Sequence, residues 1–119
     1  MTKEIITKGT GAKVKFSEVD FLTANKLKSI LTKSAKNQGY KLSELDAEKT
    51  IEVLDCNKEV VDILFECLKR CSYDGEKITV DIFEDPKRWA DYYEIMLTCL
   101  EVNYTPFFVN PSSLSKTEA

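Results

Sequence analysis

Histidine is absent from the 119 residues. That absence removes the commonest general base at neutral pH, the commonest metal ligand and every catalytic triad that depends on an imidazole. Glycine (four) and proline (three) are scarce, so the few present mark boundaries rather than a loop-rich fold. No apolar run approaches the ~18–20 residues of a membrane span, and the opening MTKEIITKG lacks the apolar stretch of a secretory signal. These absences predict a cytosolic protein with no membrane association, in which Cys56, Cys67, Cys71 and Cys99 are reduced thiols.

Residues that remain could still carry chemistry, but their settings argue against it. Cys67 and Cys71 stand at i and i+4 and could approach one metal from one helix face. There is no CxxC knuckle, however, and all the cysteines but Cys56 sit among leucines and isoleucines, where a thiol behaves as a small hydrophobe. Asp81, Glu84 and Asp85 cluster just before Pro86, where acids act as helix caps and dipole partners. GTGAK within residues 9–13 resembles part of a phosphate loop, yet the closing Lys-Ser/Thr is missing and no buried strand precedes it. No serine or lysine lies in a recognisable nucleophile setting. The expectation is a protein that is not an enzyme and holds neither metal nor cofactor.

What is present is a globular composition, 43% apolar and 31% charged, enough for one domain at this length. The net charge of −3 is unevenly distributed. Residues 1–40 hold eight lysines against Glu4, Glu18 and Asp20, and the remainder holds nine basic against seventeen acidic residues. The basic half has no arginine and no aromatic-flanked basic motif, so nucleic acid is not expected as a partner. Attraction between the halves, within one chain or between copies, explains the asymmetry better.

Two β-prone runs in EIITKGTGAKVKF predict a hairpin over about 4–16, with Gly9 and Gly11 supplying positive φ. Ser17 is the expected cap of a helix over about 18–35, stopped at Gly39. Ser43 and Asp46 signal another start, after which residues 44–56 suit a short helix better than an extended segment, although both remain open. Asn57 then caps KEVVDILFECLKRC, whose apolar residues cover roughly 200° of the helix, and Asp74-Gly75 makes the next turn. Asp85 followed by Pro86 opens a last helix expected to reach about Asn103, because Pro106 prevents its continuation. The expected fold class is mainly α, a small domain of three to five helices with a short N-terminal β-hairpin, spanning residues 1–109. Residues 110–119 have the composition of a flexible C-terminal tail.

The last helix is apolar nearly all round. With Trp89 at 0° and 100° per residue, the apolar positions fill an arc of about 240°, leaving Asp91, Thr98, Glu94 and Glu101 in a narrow wedge. Either this helix is inserted between elements of its own fold or part of the arc faces another molecule. With only two clear partner helices in the sequence, the second is favoured. The candidate protein-binding residues are therefore Trp89, Tyr92, Tyr93, Tyr104, Phe107 and Phe108.

The run LFECLKRCSYDGEKITVDIFED, followed by RWADYYEIMLTCLEVNYTPFF, resembles the C-terminal half of small tail assembly chaperones encoded by tailed bacteriophages. The matching residues are Cys71, Tyr73, Gly75, Tyr92, Tyr93, Asn103, Pro106, Phe107 and Phe108. The resemblance implies a mostly helical, non-catalytic homo-oligomer in the host cytoplasm. Its client would be the tape measure protein, kept soluble during tail tube assembly, with the tail tube protein as a second candidate partner. It supplies no active site. A small acidic phage-encoded inhibitor of a host defence protein is the alternative that size and charge also allow.

Overall fold

Val14 and Phe16 alternate with Lys13, Lys15 and Ser17, the period-two pattern of a strand with one buried face. In the computed structural model, which describes residues 2–107, they lie in β2 (Lys13–Ser17), paired antiparallel with β1 (Thr2–Ile6) from Thr2 opposite Ser17 to Ile6 opposite Lys13. Val14 and Phe16 are fully buried. The connecting loop closes through Thr7 N–H to Ala12 O at 2.9 Å and Gly11 N–H to Thr7 O at 3.0 Å. Gly11 has the expected positive φ, 76°. Gly9 does not, and its requirement is space: a Cβ there would lie 2.5 Å from Asp91 Oδ1 and 2.8 Å from Ala90 Cβ.

The Asp74-Gly75 turn is a second hairpin. Both residues have positive φ (50° and 86°), which fits a two-residue turn that matches strand twist. It joins β3 (Ser72–Tyr73) to β4 (Glu76–Lys77), and β3 pairs with β2, giving an antiparallel sheet in the order β1-β2-β3-β4. Strands of two residues are too short to show alternation, so the sequence revealed the turn and not the strands.

Helix α1 (Phe21–Asn37) begins later than expected, because Ser17 belongs to β2 and Asp20 is the cap. The Asp20 carboxylate accepts from Thr23 N–H at 3.2 Å and from Thr23 Oγ1–H at 2.7 Å. Asn103 Oδ1 accepts from Val19 N–H at 2.9 Å in the segment between strand and helix. At the far end Gly39 (φ 86°) donates to Lys36 O and Tyr40 to Ala35 O, both at 2.9 Å, so two orphan carbonyls are satisfied at once.

After a single 3₁₀ turn at Leu42–Glu44, α2 (Ala47–Cys56) settles the choice over residues 44–56 in favour of helix, capped by Asp46 rather than Ser43. Asn57 then divides two helices. Its side-chain amide donates to Val53 O in the last turn of α2 at 2.9 Å, and its own carbonyl accepts from Val60 N–H at 3.0 Å to open α3 (Lys58–Leu68). The expected side-chain cap by Asn57 is not made.

Asp85 and Pro86 start a helical segment as expected, but Pro86–Asp91 winds as a 3₁₀ turn and α4 covers Tyr92–Tyr104. The cause is Asp91. Placed in the outward wedge by a uniform α-helical projection, it is completely buried, with Tyr73 Oη–H donating at 2.6 Å, Thr10 N–H at 3.1 Å, and Thr10 Oγ1 also bonded.

The remainder of α4 corrects the argument from its apolar arc. It touches α1, α2, α3 and β2, and Ile95, Met96, Cys99 and Val102 are buried among them. Most of the arc is thus covered inside this fold, since α2 and β2, expected as elements but not counted as its partners, pack against it. Cys67 and Cys71 join the same core, and Cys99 Sγ approaches Leu64 O at 3.9 Å. The tail expected at 110–119 lies outside the described residues.

Candidate protein-binding seam

Tyr93, Leu97, Leu100 and Tyr104 stand at i, i+4, i+7 and i+11 of α4 and so share one stripe. Helix α2 runs beside it in the opposite direction. Ala47 and Thr50, near its start, border a groove with Leu97, Leu100 and Tyr104. Near its end, Asp55 accepts from Tyr93 Oη–H, with oxygens at 2.7 and 2.9 Å. The groove holds about 490 Å³, and Leu42 and Leu45 also line it. A second depression of about 430 Å³ shares Leu42, Tyr104 and Thr105 with it.

Beyond the end of α4 a third cleft, about 350 Å³, is lined by Val19, Phe21, Ala24, Val102, Pro106 and Phe107. The Phe21 and Phe107 rings are 6.0 Å apart, and the Lys28 ammonium lies 5.1 Å from the Phe107 centroid. Phe21 is 68% exposed and its neighbour Leu22 75%, values at which large apolar side chains face water outright.

The opposite end of the seam is aromatic. Phe65, Phe83, Tyr92 and Tyr93 form a series of ring contacts with centroids 5.1 to 6.2 Å apart. Trp89 is 62% exposed, and its indole N–H donates to Phe83 O at 2.7 Å, which fixes one edge of the ring. Electrostatics follow from these contacts. The hydrogen bond to Asp55, and then burial, raise the Tyr93 phenol above its ordinary value. Burial, then the Asp55 charge, raises Tyr92, and burial alone raises Tyr104. All three are neutral hydrogen-bonding phenols at physiological pH, suited to an apolar contact with polar tips.

The structure therefore sorts the sequence-predicted residues into two groups. Trp89, Tyr92 and Tyr93 lie at the start of α4, and Tyr104 and Phe107 at its end, about 20 Å away by helix rise. Tyr92 is half-buried within the ring series. Phe108 lies outside the described residues. The stripe through Leu97 and Leu100 runs from Tyr93 in the first group to Tyr104 in the second. Sequence reasoning missed Phe21, Leu22, Leu42 and Leu45. The available signals were a Phe-Leu pair directly behind the Asp20 cap and two leucines in KLSEL that fit no helical stripe.

Among the described residues no helix is long and apolar enough to cross a membrane. Residues 23–115 match the family model described as phage tail assembly chaperone protein, TAC, a match that begins two residues into α1 and takes in α2 to α4. No curated protein and no solved structure gives a match.

Proposed function

The chain belongs to the phage tail assembly chaperone family, and from that premise we propose that it keeps the tape measure protein soluble by holding helical segments of it along the α2–α4 seam. The observation that supports this reading is the stripe Tyr93, Leu97, Leu100 and Tyr104 along α4, bordering the groove that Leu42 and Leu45 also line, with the exposed Trp89 near one end and the Phe107 cleft near the other. About 20 Å from end to end accommodates some four turns of a client helix. Such a helix, presenting leucine-like residues at i, i+3, i+4 and i+7, would place them over the groove in the manner of other helix-in-groove complexes.

The contact is suited to release. Covering a few partly exposed side chains gains several kcal/mol at ~25 cal/mol per Å², against an association cost of similar size, so one site is weak and many along a client are strong. Self-association of chaperone copies follows from the same reading, because neighbours on one long client raise each other's local concentration. The tail tube protein is a second candidate partner. The site of action is the host cytoplasm, where the tail is built.

Co-expression tests this reading. The tape measure protein from the same phage is expected in the soluble fraction with the wild-type chaperone and in the pellet with Leu42→Glu or Phe107→Ala. Equal solubility with and without the chaperone would overturn it.

A further inference from the structure

One helix face remains unexplained by the fold and the seam. On the outer side of α1, Leu22, Lys26, Ser29, Lys33 and Lys36 follow one another at i, i+4, i+7, i+11 and i+14, and all are exposed. There is no acid anywhere in α1. Lys26, Lys33 and Lys36 have no ion-pair partner among the described residues. Among the described residues, the ion pairs between the basic and acidic halves of the chain are Lys3 with Glu101 at 2.9 Å and Arg70 with Asp20 at 3.9 Å. Lys28 lies over the Phe107 ring and Lys26 borders a depression with Glu59, Asp62 and Glu66 of α3, so ion pairing within one molecule leaves Lys26, Lys33 and Lys36 without a direct partner among the described residues.

The same molecule carries the complementary face. On α2, Glu48, Glu52 and Asp55 stand at i, i+4 and i+7, all exposed. Glu52 accepts from Tyr40 Oη–H at 2.7 Å and Asp55 from Tyr93, and none of the three meets a cation at ion-pair distance among the described residues. Lys49 is drawn aside over the Tyr40 ring, 5.6 Å from its centroid. The seven-residue step from Lys26 to Lys33 equals that from Glu48 to Asp55, two helical turns in each case. Two helices laid side by side can therefore match charge to charge over about 10 Å.

We propose that α1 of one copy docks on α2 of the next, with Leu22 as the apolar head of a lysine face that meets the Glu48–Asp55 face. The two faces are different surfaces of one chain, so the contact is heterologous: each copy offers its remaining face to a further copy, and the array does not close unless its rotation brings it into a ring. This rests on the self-association proposed above and names its surfaces. It touches the seam at Asp55, the partner of Tyr93, and does not draw on Leu97, Leu100 or Tyr104, so a row of copies could present successive grooves to one long client.

Sedimentation velocity on the chaperone alone tests the contact separately from client binding. The wild type is expected to associate with rising concentration, with an association constant falling at least about tenfold between about 50 and about 500 mM sodium chloride, as exposed charge pairs require. Lys26→Glu/Lys33→Glu/Lys36→Glu is expected to be monomeric alone, as is Glu48→Lys/Glu52→Lys. An equal mixture of the two is expected to associate again, because each then finds its complement. A wild type that stays monomeric, a salt-independent oligomer, or a mixture that fails to associate would each overturn the proposal. So would a lysine face that binds labelled single-stranded DNA while the protein remains monomeric. The salt titration uses unaltered protein, so it decides even if one variant fails to fold.

Discussion

The phenol of Tyr73 donates to the carboxylate of Asp91 at 2.6 Å, joining the second hairpin to the residue where a 3₁₀ turn becomes α4. Thr10, in the loop of the first hairpin, donates to the same carboxylate from its N–H. One buried acid thus fastens both hairpins to the helix that bears the seam. Burial alone would raise its pKa, but the donors from Thr10 and Tyr73 outweigh that and hold it below the ordinary carboxylate value.

A depressed folded-state pKa gives a definite sign. Asp91 contributes stability that is present above its unfolded value, near 3.9, and is lost as pH falls through the lower folded value. Asp91→Asn is expected to cost about 2 kcal/mol at neutral pH, the scale of a hydrogen bond to a charged group. Thermal melts from neutral to acid pH should show the gap between variant and wild type narrowing only below about pH 4. A gap that is constant across that range would contradict the assignment.

Gly9 and Gly11 should respond differently to alanine. Gly9→Ala puts a methyl group against Asp91 and the Ala90 backbone, which cannot retreat, and is expected to cost about 1–3 kcal/mol. Gly11→Ala meets nothing within 4 Å and bears only the strain of its positive φ, about 1 kcal/mol. Urea denaturation of the two variants checks the order, and the reverse order would mean that the loop does not rest on Asp91.

Thiol reactivity reports on the core. Cys56 is exposed, whereas Cys67, Cys71 and Cys99 are buried. Donating a hydrogen bond to Cys67, together with burial, pushes the Cys99 thiol well above its ordinary value. Under native conditions a chromogenic disulfide reagent should modify one thiol per chain quickly, and Cys56→Ser should abolish that phase. Two or more fast thiols would contradict the packing of α3 against α4.

At the aromatic end of the seam, Trp89→Ala should leave the melting temperature nearly unchanged, since the ring is largely exposed. Its effect should fall on the client: a loss of about 1–2 kcal/mol in affinity for a tape measure fragment, as truncation of an interface aromatic typically gives. Lys13→Glu, on the outward face of the sheet, serves as the comparison and should leave affinity within about twofold. Equal losses for both would indicate general electrostatic binding in place of a seam.

How far the fold was legible depends on how local each signal is. Asp85-Pro86, Gly39 and Asp74-Gly75 act through their own backbones, and each stands where the sequence places a boundary. Ser17 was misassigned because a cap is decided by which of several nearby oxygens meets a free N–H, and Asp20 meets it once Ser17 is taken into β2. Asp91 was misassigned because helical projection assumes uniform winding, and its partners Thr10 and Tyr73 are 81 and 18 residues distant in the chain. The seam was half legible. Aromatic excess in α4 was plain, whereas Leu42 and Leu45 come into it only through tertiary packing.

Amide chemical shifts of the labelled chaperone, recorded while a helical tape measure fragment is added, test the central claim most directly. Perturbations are expected to run along Trp89, Tyr93, Leu97, Leu100, Tyr104 and Phe107, with Leu42 and Leu45 across the groove. Shifts confined to the sheet face at Lys13 and Lys15, or no saturable shifts at all, would contradict it.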